Sequence, residues 1–447
     1  MANILFYGDD FTGASDNAAQ YFRYGLKSVL FFSDPGDAVL ADAAQKFDVV
    51  GVAGTSRSLS TDLMTDEVLP ILKRFQKLGA PIIQYKCCST FDSTDKIGSL
   101  GHAIHLMRSC WPDSFIPVLA AAPEFGRFTL FGHHFARMGQ QVYRLDRHPV
   151  MSRHPVTPMS ESDLSRILST QGFDVDELID LPLLDQFAGI EAELVTRLQG
   201  SQSAVFDSYS VDQITTASAT IWNMSQSRQI CAMASQGLAY GIGRHLRLSG
   251  LIDAPEPSHR LPAVDRLLVL SGSCSPLSAA QIKWAERAGF IGIRLAIDSI
   301  LQNSVQWVES LIQQIINGLQ QGKSLVVYTA TGPDDPSIKH TQSNVLSDQV
   351  SPAFLAEKIG SLFGQIAQSA IKQANLKRLV VSGGDSSSFT MRALQATALE
   401  IKASLFVQNA HVCSLQSTDA IINGTEVLLK GGQVGAENLY EVMRAGF

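Results

Sequence analysis

Positive charge is scarce in this 447-residue chain: 35 Lys and Arg stand against 42 Asp and Glu, a net charge of −7. No basic run stands out, which argues against a nucleic-acid surface. No apolar stretch approaches the length of a membrane span, and the N-terminus has neither the basic start nor the long apolar segment of a signal peptide. A cytoplasmic protein that engages no membrane is therefore expected. The six cysteines include no C-x-x-C pair and no zinc-like spacing, so disulfides and structural zinc are not expected, and free thiols in a reducing compartment are. G-x-G-x-x-G is missing too, which weakens a dinucleotide reading. GLQQGKS (Gly318 to Ser324) imitates a Walker loop but has three residues between its glycines where four are needed. It also lies between a helical pattern and a strand, the reverse of a phosphate loop, so Gly322 reads as a helix stop.

What is present is α/β material: 45% hydrophobic and 17% charged residues. Short β-rich runs alternate with helical patterns, beginning with ILFY, SVLFF, DVVGVAG and PIIQYK. Such βαβα rhythm predicts a mainly parallel sheet flanked by helices, with polar functional groups at the carboxyl ends of strands. The length calls for two domains. A proline-rich break at residues 248–266, inside LSGLIDAPEPSHRLPAVDRL, is the linker candidate, placing the domains at 1–250 and 265–447.

Three glycine-rich turns in the second half suit a phosphate. SGSCSP contains Ser271, Gly272 and Ser273, SGGDSSS contains Ser382, Gly383, Gly384, Asp385 and Ser386, and LLKGGQVG contains Gly431 and Gly432. The first two stand between a strand and a helix, where backbone N–H groups and the helix dipole favour an anion. Any one of them alone is a common turn. Three in one domain point to a nucleotide pocket.

In the first half, YGDDFTGASD follows the first strand with Asp9, Asp10 and Thr12. The pair is either a helix cap or a place where negative charge is wanted, for a metal or for taking a proton. AGTSRSLS offers Arg57; YKCCSTFDSTDKIGSLG offers Lys86, Ser89 and Asp92; RHPVTPM offers His154. Cations among hydroxyls and carboxylates suit a small polyhydroxylated anion, although a single Arg or Lys is more often a surface charge. His133, His134, His148 and His154 lack a helical i, i+4 pair or a carboxylate motif, so no metal site is assigned to them. Cys87 and Cys88 read as small apolar residues rather than nucleophiles.

Taken in order, GDDFTGASDNAAQY, TSRS, YKCCSTFDSTDKIGSLG, RHPVTPM, SQGLAYGIG, LSGSCSPLSAAQI, SGGDSSS and LLKGGQVG resemble the four-carbon acid sugar kinase family over nearly the whole chain. That family includes 3-oxo-tetronate, D-threonate and D-erythronate kinases. The resemblance implies an N-terminal sugar-acid domain, a C-terminal nucleotide domain and catalysis in the interdomain cleft. Carried over by motif, Ser271, Ser273, Gly383, Gly384, Asp385 and Gly431 resemble ATP contacts, and Asp10, Arg57, Lys86, Ser89 and His154 resemble sugar-side residues. Two motifs depart from the family. Ser386, Ser387 and Ser388 stand where Thr-Ser-Gly is usual, and Gly431-Gly432-Gln433-Val434 replaces Ser-Gly-Asn-Phe, as in the 3-oxo-isoapionate kinase branch.

The expectation is therefore an ATP- and Mg²⁺-using kinase acting on a terminal hydroxyl. Asp10 is its general base, Asp9 supports Asp10 or caps the helix, and Arg57 or Lys86 orients the substrate carboxylate. Asp385 is a Mg²⁺ or ribose partner. An inactive two-domain sensor and a non-kinase aldolase or isomerase are the rivals. The sequence leaves a homo-oligomer open.

Overall fold

The computed structural model describes residues 2–153, 156–187, 189–253, 260–332, 335, 352–405, 410–432 and 434–447, with the backbone alone at 352, 353, 384, 385 and 388. The chain divides into two compact units, Met1–Glu256 and Pro257–Phe447.

In the first unit the strands are β1 (Ile4–Gly8), β2 (Ser28–Phe31), β3 (Val49–Ala53), β4 (Ile82–Lys86), β5 (Ile116–Leu119), β6 (Arg127–Leu130), β7 (His133–Met138), β8 (Gln141–Arg144), β9 (Glu177–Ile179), β10 (Ser203–Phe206) and β11 (Ile230–Ala234). Eight of these form a parallel sheet in the order β2-β3-β1-β4-β11-β5-β10-β9. β1 and β4 are buried at every position, as strands covered on both faces must be. The helix Thr61–Leu78 shows how the layers close. Met64, Val68, Ile71, Leu72 and Phe75 recur at helical spacing and face the sheet, and Gly79 ends the helix at φ +67°.

Because β1 lies between β3 and β4, the chain reverses its direction of winding there. The segments leaving β1, β3 and β4 therefore meet at one sheet edge, in register at Gly8, Ala53 and Lys86. A buried polar network fixes the helix Phe11–Phe22 over this edge. Gln84 Oε1 accepts from Asn17 Nδ2 at 3.1 Å and from the Tyr21 hydroxyl at 3.2 Å, while Gln84 Nε2 donates to the Ala234 and Ser235 carbonyls. Strands β6–β8 form a separate antiparallel sheet. The parallel rhythm of the sequence gave no expectation of it.

The second unit has β12 (Leu268–Ser271), β13 (Ile291–Arg294), β14 (Leu325–Tyr328), β15 (Arg378–Ser382), β16 (Ala396–Leu405), β17 (Ala410–Ser417) and β18 (Glu426–Lys430). β13-β14-β12-β15-β18 are parallel, and β17 and β16 continue antiparallel beyond β18. Val269, Ile282, Val380, Leu428, Tyr440 and Met443 are part of its core. Here too the first strand, β12, sits between two others, so the turns after β12, β15 and β18 converge, in register at Ser271, Ser382 and Lys430. Each unit is thus a mainly parallel sheet flanked by helices. Among the described residues no helix is long and apolar enough to cross a membrane.

Candidate active site

At the β1 edge, Asp9 is 2% exposed and Asp10 half-buried. Arg57 grips Asp9 in a two-pronged fork, Nε to Oδ2 at 3.0 Å and Nη2 to Oδ1 at 2.8 Å. Nη2 also reaches Asp10 Oδ1 at 2.6 Å. The Cys88 N–H adds a bond to Asp9 Oδ2 at 3.3 Å. Burial pushes the Asp9 carboxyl above its ordinary value, against the pull of the Arg57 guanidinium. Of the two aspartates it is Asp10, not Asp9, that caps the helix: Oδ1 accepts the Gly13 N–H at 3.1 Å. Both contacts of Asp10 use Oδ1, so Oδ2 has no hydrogen-bond partner among the described residues.

Lys86 ends β4 and is 1% exposed. A Cβ added to Gly13 would meet Asp10 Oδ1 at 2.4 Å and Lys86 Nζ at 2.8 Å, so the ammonium and the carboxylate flank the same glycine. Among the described residues Nζ has no hydrogen bond or ion pair, an unusual state for a buried cation and one that an anion would relieve. Arg57 differs. Its Nε and Nη2 are taken by the aspartates, and only Nη1 has no partner among the described residues.

Around this centre, Thr12 is exposed in the first helical turn. Asp92 is buried and accepts from the Thr90 hydroxyl. Burial pushes its carboxyl up, but the Arg57 guanidinium and the Thr90 hydroxyl outweigh this and hold it below the usual range. The Ser89 carbonyl accepts from His134 Nε2 at 2.8 Å, so that nitrogen carries the proton and Nδ1 accepts from the Thr129 hydroxyl at 3.0 Å. Burial pulls the His134 imidazole down to about 4, leaving it neutral at physiological pH. His133 bonds the Ser162 hydroxyl, and His148 accepts two backbone N–H groups. His154 lies outside the described residues.

Glu67 is a positioning residue that the sequence did not reveal. It accepts from the Tyr7 hydroxyl, the Thr55 N–H and the Thr55 hydroxyl, pinning the segment that carries Arg57.

In the second unit, Ser275 caps the helix Pro276–Arg287 by accepting the Ser278 N–H at 3.0 Å, and its own hydroxyl bonds the Gly432 carbonyl. Gly272 N–H donates to the Ser382 carbonyl and Gly383 N–H to the Lys430 carbonyl, both at 2.9 Å, stitching the three turns together. Gly383 adopts φ +125°, which a side chain would strain, and a Cβ at Gly272 would strike the Ser386 hydroxyl at 2.3 Å. Nothing lies within 4 Å of a Cβ built on Gly431, leaving its face open for a ligand. Ser271, Ser273, Ser382 and Ser386 are buried. The side chains of Asp385 and Ser388 lie outside what the structure describes. The sequence also missed Lys430 and Ser278: Lys430 closes β18 and donates from Nζ to the Ser382 and Ser278 hydroxyls at 3.0 and 3.3 Å. The signal was available, since Lys430 stands at a strand end before a polar turn just as Lys86 does.

The described side chains contain no group of three or more His, Cys, Asp or Glu that could hold a metal ion. The described groups of the second-unit turns are hydroxyls, N–H groups and an ammonium, which suit a phosphate.

Comparison with known proteins matches both units. A family model described as a sugar-binding N-terminal domain covers residues 4–242, and one described as a nucleotide-binding C-terminal domain covers residues 268–439. A 3-oxo-isoapionate kinase of Paraburkholderia graminis is 35% identical over 455 aligned positions, covering 99% of this chain and 94% of that protein. A 3-oxo-tetronate kinase of Brucella melitensis is 28% identical, over 86% and 84% of the two chains. The fold is shared with crystal structures from Salmonella typhimurium (TM-score 0.80, 22% identity, 99% and 98% covered) and Haemophilus influenzae (TM-score 0.77, 23% identity, 98% and 99% covered). With both domain models matched in order and a relative of this similarity along its full length, the chain belongs to the four-carbon acid sugar kinase family.

Proposed function

We propose that this chain is an ATP-dependent kinase for a terminal hydroxyl of a small acid sugar, with 3-oxo-isoapionate the first candidate and 3-oxo-tetronates the next. Family membership supports kinase chemistry, and the order of candidates follows the names and similarity of the relatives. The observation that carries the reading is the unpartnered, buried Lys86 ammonium set beside a half-exposed carboxylate at the β1 edge.

Phosphoryl transfer needs in-line positioning, charge neutralisation and an acceptor for the alcohol proton. Lys86, joined by Arg57 Nη1, takes the substrate carboxylate, a charge-assisted contact that fixes the direction of the rest of the molecule. Thr12, Ser89, Asp92 and His154 supply hydroxyl contacts. Asp10 accepts the proton through Oδ2 while Oδ1 is held by Gly13 and Arg57, so its free oxygen needs no reorganisation. Asp9 serves from behind by holding Arg57. In the second unit, the turns Ser271–Ser273, Ser382–Ser386 and Gly431–Gly432 would hold the phosphates, with Asp385 the candidate partner for ribose or Mg²⁺. Mg²⁺ bound with the nucleotide would neutralise phosphate charge there.

The test is ADP release from ATP and Mg²⁺ with D-threonate, L-threonate, D-erythronate, 3-oxo-tetronates and 3-oxo-isoapionate. Fast release with one acid, 3-oxo-isoapionate expected, supports the reading. ADP binding with no turnover on any acid would identify a sensor instead.

A further inference from the structure

Lys430 is a cation buried in the second unit at the end of β18. It is 2% exposed, and among the described residues its contacts are two hydroxyls and no carboxylate. Burying an ammonium without a counter-ion disfavours the charged form, and burial pulls this one down to about 8. The two hydroxyls take two of its three N–H groups, and no described carboxylate compensates its charge.

The hydroxyls it touches have few choices. Ser278 Oγ accepts from Lys430 and lies 3.0 Å from Ser273 Oγ, to which it donates. The Ser275 N–H also donates to Ser273 Oγ, at 3.3 Å. The Ser275 hydroxyl bonds the Gly432 carbonyl and lies 3.0 Å from Ser278 Oγ, and Ser278 Oγ is also 3.3 Å from Ser382 Oγ. With two donors already aimed at its oxygen, Ser273 must direct its own O–H elsewhere, and it has no acceptor among the described residues. Ser273 lies on the turn after β12, one residue from Gly272, where three strand ends meet.

Resting on the nucleotide-binding reading above, we propose that Lys430 is a positioning residue for the nucleotide phosphates. Through Ser278 it orients the Ser273 hydroxyl outward as a phosphate donor, and it supplies the positive charge beneath that donor. The cluster would then discriminate by phosphate charge and not by base or ribose.

The test is calorimetric titration of the full-length protein with ADP and, separately, with adenosine. Lys430→Met should weaken ADP binding roughly tenfold or more, the usual loss for a hydrogen-bonded charge, while adenosine affinity stays within about twofold. Lys430→Arg should recover part of the ADP affinity. Ser278→Ala, which keeps the ammonium and removes the relay, should fall between wild type and Lys430→Met. Equal losses for ADP and adenosine would reduce Lys430 to a structural residue, and unchanged ADP binding would overturn the proposal outright. Wild-type protein that binds no ADP would instead remove the nucleotide reading on which it rests.

Discussion

Lys86 and Lys430 occupy the same place in two different units. Each is the last residue of a parallel strand, each is buried, and each lies at an edge where the first strand of its unit is flanked on both sides. Their neighbours differ. Lys86 and Asp10 flank the same glycine, Gly13, with the Asp9–Arg57 fork bonded to Asp10, whereas Lys430 sits among serine hydroxyls. A lysine sharing a glycine with a carboxylate makes a place that can hold an anion and, on the proposed reading, take a proton. A lysine among hydroxyls makes a place that can only hold an anion. The backbone supplies the same socket twice, and the residues of the adjoining turn decide its chemistry.

The comparison can be broken most severely at Asp10. Asp10→Asn keeps the shape and the cap but removes the proposed proton acceptor, so turnover should fall by about 10²–10⁴-fold while ADP affinity changes little. Unchanged turnover would move the base elsewhere. Next in size is Arg57→Met. It strands Asp9 as an unpaired buried carboxylate and should cost roughly 3–5 kcal/mol in a urea titration, with Arg57→Lys recovering only part because it lacks the fork. A variant as stable as wild type would show that the fork is not needed to hold Asp9.

A third experiment sets the charge of Lys430 against pH. Between pH about 8 and about 10.4 the folded chain has released a proton that the unfolded chain still holds, so this group makes stability rise with pH across that window. Below it, the buried charge costs about 3 kcal/mol. Relative to Lys430→Met, wild type should therefore gain melting temperature between pH 7.5 and 10, and a constant difference would mean that the ammonium is compensated. The smallest effect is expected from Gly431→Ala. Its Cβ meets nothing, so stability should shift by no more than about 0.5 kcal/mol, and any loss of ADP affinity would measure how closely the ligand approaches.

The sequence exposed those parts of the fold that depend on local pattern. Apolar strands ending in polar turns gave the parallel sheets, and Gly322, at φ +76° after the helix Val305–Gln320, is the stop its context predicted. The hairpin strands β6–β8 were not legible, because they are short and their exposed and buried positions mix. Which aspartate caps the helix was also hidden, since both suit the role chemically. Only the bond from Gly13 separates them. Glu67 and Ser278 were hidden for a different reason: each works through partners set by tertiary packing, and nothing in their flanking residues marks them.

His134 joins β7 of that hairpin to the Ser89 carbonyl. The main sheet fixes where the carboxylate and the ammonium stand, while the loop beside them is steadied from an element outside the sheet. A lineage could therefore alter the loop that carries Ser89 by redrawing one hairpin, leaving the sheet that carries Asp10 and Lys86 untouched. On the proposed reading, grafting β6–β8 between relatives should shift substrate preference while leaving Asp10 and Lys86 in place.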